Sequence, residues 1–137
     1  MKYWLMKSEP SVYSWGQLMK DKRTNWSGVR NHQASNNMKA MQLGDRAFFY
    51  HSNEGLAVVG IMEIAKLYYP DPSDEAGKFG MVDVKPVLPM KQPVTMAEIK
   101  KTPKLKDMVL VKNSRLSVQP VTAEEWKLVC QMGGVKG

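Results

Sequence analysis

Apolar residues fall into short runs separated by turn-forming clusters, and their spacing switches between the strand and helix periods along the chain. Lys2 to Met6 reads as a strand dense in β-formers. Ser8-Glu9-Pro10 ends it, because proline removes a ladder donor and fixes φ. A short helix is predicted near Ser14 to Lys20. Beyond the polar stretch Asp21 to Asn25, residues Ala34, Met38 and Met41 recur at three- and four-residue spacing, predicting a helix that ends at Gly44-Asp45. Arg46 to Ser52 alternates as a strand does, and Asn53-Glu54-Gly55 supplies a hairpin-like loop. Leu56 to Tyr69 is then a long β-branched run, with Gly60 as the position where it bends. After the turn-rich, acidic segment Pro70 to Lys78, alternation resumes from Met81 to Val87, with Val82, Val84 and Val87 facing inward.

Two later segments carry the same local signature, Pro93-Val94-Thr95-Met96-Ala97-Glu98-Ile99 and Pro120-Val121-Thr122-Ala123-Glu124-Glu125-Trp126. In each, the threonine can cap a helix and a glutamate three residues on can reach back to it. The pairs Val94 with Ile99 and Val121 with Trp126 can form a hydrophobic staple. This is shared capping physics and not a domain repeat. The last helix puts Trp126, Val129 and Cys130 on one face and stops near Gly133-Gly134, which can supply a left-handed cap. Strands and helices in this order predict an α+β fold around a curved or closed sheet.

A chain of 137 residues supports one domain, residues 1–137, with a real core. Its 43% hydrophobic and 24% charged content is that of a folded globular protein. The charge balance is less ordinary: 20 Lys and Arg against 13 Asp and Glu leave +7, which attracts polyanions. Only four residues separate Lys2 from Lys7, too few for a signal-peptide core or a bilayer span, so a cytoplasmic protein without a membrane partner is expected. Cys130 is the one cysteine, and His32 and His51 are the two histidines, so neither a disulfide nor a metal site is expected. No Gly-rich phosphate loop is present, and no cofactor is implied.

Catalysis would need a positioned acid, base or nucleophile. The obvious assembly joins Ser8, Glu9 and His51 across two strand ends, but the sequence gives it no nucleophile-elbow context. Cys130, on an apolar helix face, reads as a buried structural thiol. Binding has better material. Trp26 stands among polar residues before the flexible Gly28 and the cationic Arg30, so it can stack on a base, or it can fold onto the core. Tyr50, His51 and Ser52 finish a strand where alternate side chains face opposite ways. From Lys100 onward seven Lys and one Arg face three acids, which makes either a phosphate-tracking region or a solvated face.

These signals align with a known family. Tyr3-Trp4-Leu5-Met6-Lys7-Ser8-Glu9-Pro10 resembles the opening of EVE-domain proteins. The resemblance continues through Trp26-Ser27-Gly28-Val29-Arg30-Asn31, Gly44-Asp45, Phe48-Phe49-Tyr50-His51-Ser52-Asn53, Val59-Gly60-Ile61, Tyr69-Pro70-Asp71-Pro72, Ser114-Arg115-Leu116-Ser117-Val118 and Glu124-Glu125-Trp126. It implies a PUA-like curved β-barrel with surrounding helices, similar to PUA, ASCH and YTH domains. It also implies one pocket for a modified, flipped-out base of DNA or RNA. Lys7, Ser8, Glu9, Trp26, Gly28, Val29, Arg30, Asn31, Tyr50, His51, Ser52, Ser114, Arg115, Leu116 and Ser117 would converge on it. In that reading Trp26 supplies a stacking face, Ser8, Asn31, Ser52 and Ser117 contact base edges, and Lys7, Arg30 and Arg115 carry charge toward phosphate. Glu9 would orient a neighbouring cation or accept from an amino group. Two positions depart from the family: His32 stands where tyrosine is common, and Ser35 where many members carry arginine. A missing phosphate contact at Ser35 would weaken binding and its salt dependence.

The leading expectation is therefore a nucleic-acid-binding module and not an enzyme, acting alone or beside a protein partner such as a nuclease. The alternative is an enzyme on a nucleotide or small molecule in the same pocket, with Glu9 and His51 as acid and base. A third reading, an adaptor with a methionine-rich surface, requires Met38 and Met41 to be exposed.

Overall fold

The computed structural model describes all 137 residues. The first strand, β1 (Tyr3–Ser8), is apolar on both faces because both faces are covered: Trp4 and Met6 enter one core, Leu5 the other. The chain then forms α1 (Trp15–Asp21), the two-residue strand β2 (Thr24–Asn25) and α2 (His32–Lys39) before returning in β3 (Arg46–His51). β3 pairs parallel to β1, with Lys7 opposite Tyr50 and Ser8 opposite His51. Two long antiparallel strands follow, β4 (Ala57–Pro70) and β5 (Gly80–Thr95). α3 (Met96–Lys101), a 3-10 turn at Pro103–Leu105, α4 (Val109–Lys112), β6 (Val118–Val121) and α5 (Ala123–Met132) complete the chain.

The result is a mixed α+β fold on one six-stranded sheet, in the order β2-β5-β4-β3-β1-β6. That order has two free ends, so the sheet is open and the closed barrel expected from the sequence is not what the strands form. Register shifts between Phe49 and Tyr50, and at several points between β4 and β5, interrupt the ladder. Gly60 lies at one of them for a steric reason: a Cβ there would come within 2.5 Å of the Trp15 ring.

The two cores lie on opposite faces of the sheet. One gathers Trp4, Met6, Trp15, Leu18, Met38 and Phe49 beneath α1 and α2. The other gathers Leu5, Phe48, Tyr50, Ile99, Leu105 and Trp126 beneath the C-terminal helices. Trp126 is sandwiched there between Phe48 at 3.9 Å and Tyr3 at 4.5 Å. Both expected capping boxes are present, Thr95 with Glu98 and Thr122 with Glu125, and each staple residue is buried. Met38 and Met41 are also buried, which removes the methionine-rich surface that the adaptor reading required. No helix is long and apolar enough to cross a membrane.

Candidate functional site

A cleft of about 570 Å³ is lined by residues from the exits of β1 and β2, strands that are not paired in the sheet. Lys7, Ser8 and Glu9 reach it from the end of β1, Val12 and Tyr13 from the turn that follows, and Thr24, Asn25, Trp26 and Ser27 from β2 and its exit. Its turn wall is fixed by local hydrogen bonds. The Val12 and Tyr13 amides both donate to the Glu9 carbonyl at 2.9 Å, and Ser8 Oγ donates to the Tyr13 carbonyl at 2.6 Å. The opposite wall is fixed by packing: Trp26 is 7% exposed and meets Phe49 edge-on at 5.4 Å. Trp26 therefore serves the core and the cleft together, with the bulk of its side chain buried.

The loop after Trp26 is held by a residue that the sequence reading did not single out for function. Asp71, whose side chain is fully buried, accepts from the Gly28 amide at 2.8 Å and from Arg30 at 3.2 Å. It also accepts from the amide and hydroxyl of Ser73, at 2.8 and 2.6 Å. Burial opposes its charge, but these donors prevail and hold its pKa at about 2. Gly28 reaches this carboxylate with φ at 82°, a conformation that glycine adopts without strain. The Arg30 guanidinium, also bonded to Ser73 Oγ at 2.9 Å, is thus committed to the protein and is not a free cation aimed at phosphate.

Three of the other expected site residues, Ser52, Ser114 and Ser117, meet Lys7 and Ser8 beside the cleft. Ser117 O accepts from the Lys7 amide at 2.9 Å and Ser114 O from its ammonium, while the Ser52 amide donates to Ser8 O at 3.0 Å. The Lys7 ammonium lies over the Tyr50 ring, and burial lowers its pKa. Tyr50 belongs to the core on the far face, where burial raises its pKa, and Val29 and Leu116 are core residues of the near face. These three do not reach the cleft. Asn31 is the N-cap of α2, its Oδ1 accepting from Ala34 N at 2.9 Å. Arg115 is exposed.

Ser8 and His51 are not paired with one another. His51 Nε2 accepts from the Trp15 amide at 3.1 Å, which requires that nitrogen to be unprotonated, and burial lowers the pKa accordingly. Ser8 gives its proton to a backbone carbonyl, so serine and histidine are each bonded to backbone and not to one another. Cys130 is buried, which pushes its thiol up to about 11, far from a nucleophilic thiolate. The two departures from the family also find places. His32 packs on Phe79 at 4.9 Å, and Ser35, 2% exposed, shares a 2.8 Å hydrogen bond with Tyr68. Position 35 in this chain is thus covered by its neighbours.

A cleft lined by Trp26, Val12 and short polar side chains has the mix of apolar and polar groups that a flat polar ligand can use. The chain belongs to the EVE-domain family, whose sequence profile matches residues 2–132. It is 38% identical to human thymocyte nuclear protein 1 over 164 aligned positions, covering 95% of this chain and 73% of the relative. Among solved structures it is similar to Rpa0253 from Rhodopseudomonas palustris, at 60% identity, a TM-score of 0.92, and coverage of 98% and 94% of the two chains. It is also similar to the human THYN1 protein in complex with 5-methylcytosine-containing DNA, at 38% identity, a TM-score of 0.90 and full coverage of both chains. The YTH domain of Zygosaccharomyces rouxii MRB1, in complex with N6-methyladenosine RNA, shares the fold at 18% identity and a TM-score of 0.62, with 96% and 86% covered.

Proposed function

We propose that this domain binds nucleic acid and recognises a modified base, swung out of its stack, in the cleft between the ends of β1 and β2. One observation carries the reading: the cleft joins an aromatic and apolar wall, Trp26 and Val12, to the short polar side chains Thr24, Asn25 and Ser27. It does so in a chain similar over its full length to a protein bound to 5-methylcytosine DNA. A base has an apolar face and a polar edge, and this site offers a partner to each. Unstacking a base costs a few kcal/mol; a full stacking face returns roughly 1 to 3 kcal/mol, so the mostly buried Trp26 returns only part of that and hydrogen bonds to the base edge supply the rest. One methyl buried against the apolar wall adds about 0.8 kcal/mol, roughly a fourfold preference. Exposed Arg115 supplies attraction to the adjoining phosphates, a role that Arg30 gives up to Asp71 and Lys7 to the Ser114 carbonyl. The domain is read as a binding module and not an enzyme, because Ser8 and His51 are engaged with backbone.

Fluorescence anisotropy with DNA and RNA oligonucleotides, with and without 5-methylcytosine, tests the reading. Trp26→Ala would open the core, so the informative variant is Ser27→Trp, which fills the cleft from an exposed position. The wild type is expected to prefer the modified strand, and Ser27→Trp to keep only base-indifferent, salt-sensitive binding. A preference that survives Ser27→Trp locates recognition elsewhere.

A further inference from the structure

Glu9 is the one acidic side chain lining the cleft, and nothing in the molecule holds its carboxylate. The four ion pairs of the chain use Asp83, Asp71, Glu63 and Asp107. Asp21, which is bonded to the cleft residue Tyr13, is taken up by that hydroxyl and by Gln17. The Glu9 backbone, by contrast, is fixed, because its carbonyl closes the turn through the Val12 and Tyr13 amides.

A free carboxylate on a held backbone, at a cleft in a chain of net charge +7, repels the polyanion that the rest of the surface attracts. A hydrogen bond from the ligand offsets that repulsion, and an ionised carboxylate can only accept one. The polar neighbours Asn25 and Ser27 both donate and accept, so they cannot tell an amino group from a carbonyl. Glu9 can. Cytosine offers an N4 amino group and adenine an N6 amino group at the edge where thymine and uracil offer a carbonyl oxygen.

We propose that Glu9 selects bases carrying an exocyclic amino group, of the cytosine and adenine type, and rejects thymine and uracil. The inference rests on the base-pocket reading above. A single methyl on the amino nitrogen leaves one N–H to donate, so a monomethylated amino base is accepted and a dimethylated one refused.

5-Methylcytosine and thymine share the 5-methyl group and differ at the C4 substituent and the adjacent N3 proton, which makes them the deciding pair. Single-stranded oligonucleotides that differ only in this base, which removes pairing costs, are titrated against wild type and Glu9→Gln. The wild type is expected to bind the 5-methylcytosine strand about tenfold or more tightly than the thymine strand, the discrimination of a hydrogen bond to a charged acceptor. Glu9→Gln, whose amide donates as well as accepts, is expected to bring the ratio to within about threefold. Its unfolding midpoint stays at the wild-type value, because the side chain has no partner to lose. An unchanged ratio in Glu9→Gln, with both strands bound more tightly, overturns the proposal and reduces Glu9 to a repulsive charge. If the wild type still prefers 5-methylcytosine over cytosine and loses that preference in Ser27→Trp, only the role of Glu9 falls. If the wild type distinguishes no base, the pocket reading falls, and this inference with it.

Discussion

Asp71 receives four hydrogen bonds from three residues, and all of them depend on its negative charge. Its folded pKa of about 2 lies below the model-compound value of 3.8, so its stabilisation is complete above pH 4 and is lost as the pH falls through 2. A shift of that size corresponds to about 2 kcal/mol for a fully buried carboxylate. Urea unfolding between pH 5 and 2 is expected to show this loss in the wild type and a shallower one in Asp71→Asn; parallel slopes would remove Asp71 as the cause. His51 works in the same sense at higher pH. Its pKa is depressed by burial, so its contribution is present above the unfolded value near 6.5 and falls as acid protonates Nε2 and breaks the bond from Trp15 N. The start of α1 is therefore expected to lose amide-exchange protection at Trp15 below pH 6, and His51→Gln, which keeps an acceptor, to flatten that dependence.

Between elements, the contact of α1 with β4 depends on one missing side chain. Gly60 lets the Trp15 ring lie against the strand, and a Cβ at 2.5 Å from that ring cannot be relieved by a flexible chain end. Gly60→Ala is expected to lower stability by about 1 to 3 kcal/mol, as overpacking does, with a matching fall in the unfolding midpoint. A wild-type midpoint would mean that α1 shifts freely. The capping boxes at Thr95 and Thr122 were legible because a cap is a contact between residues three apart. β2 was not legible, because two residues have no period, and Thr24 is a strand residue only through Val84 across the sheet. β5 was read only as far as Val87 but runs on to Thr95 through Pro89 and Pro93. The register shifts against β4 absorb prolines that end strands elsewhere.

At the scale of the molecule, +7 on 137 residues gives long-range attraction to polyanions with no base preference, and in the proposed function the cleft adds the preference. The two parts should separate in salt titrations. Arg115→Gln, an exposed change beside Ser114, is expected to reduce the slope of log K against log salt by about 0.7 on single strands while the modified-base preference is retained. A lost preference would place Arg115 at the base itself.

The sequence by itself determined the strand character of β1 and β3, the capped helix starts, the basic balance and the family, because these depend on neighbouring residues or on composition. It also named Lys7, Ser8, Glu9 and Trp26, four of the residues lining the cleft. Only the tertiary structure decided the rest. It left the sheet open, turned Val29, Tyr50 and Leu116 into core, and bound Arg30 to an aspartate 41 positions away. It also brought Val12, Thr24, Asn25 and Ser27 to the wall of the cleft. The reason is physical: whether a side chain meets water, a partner or a ligand depends on which distant strand pairs beside it, and no local spacing encodes that pairing.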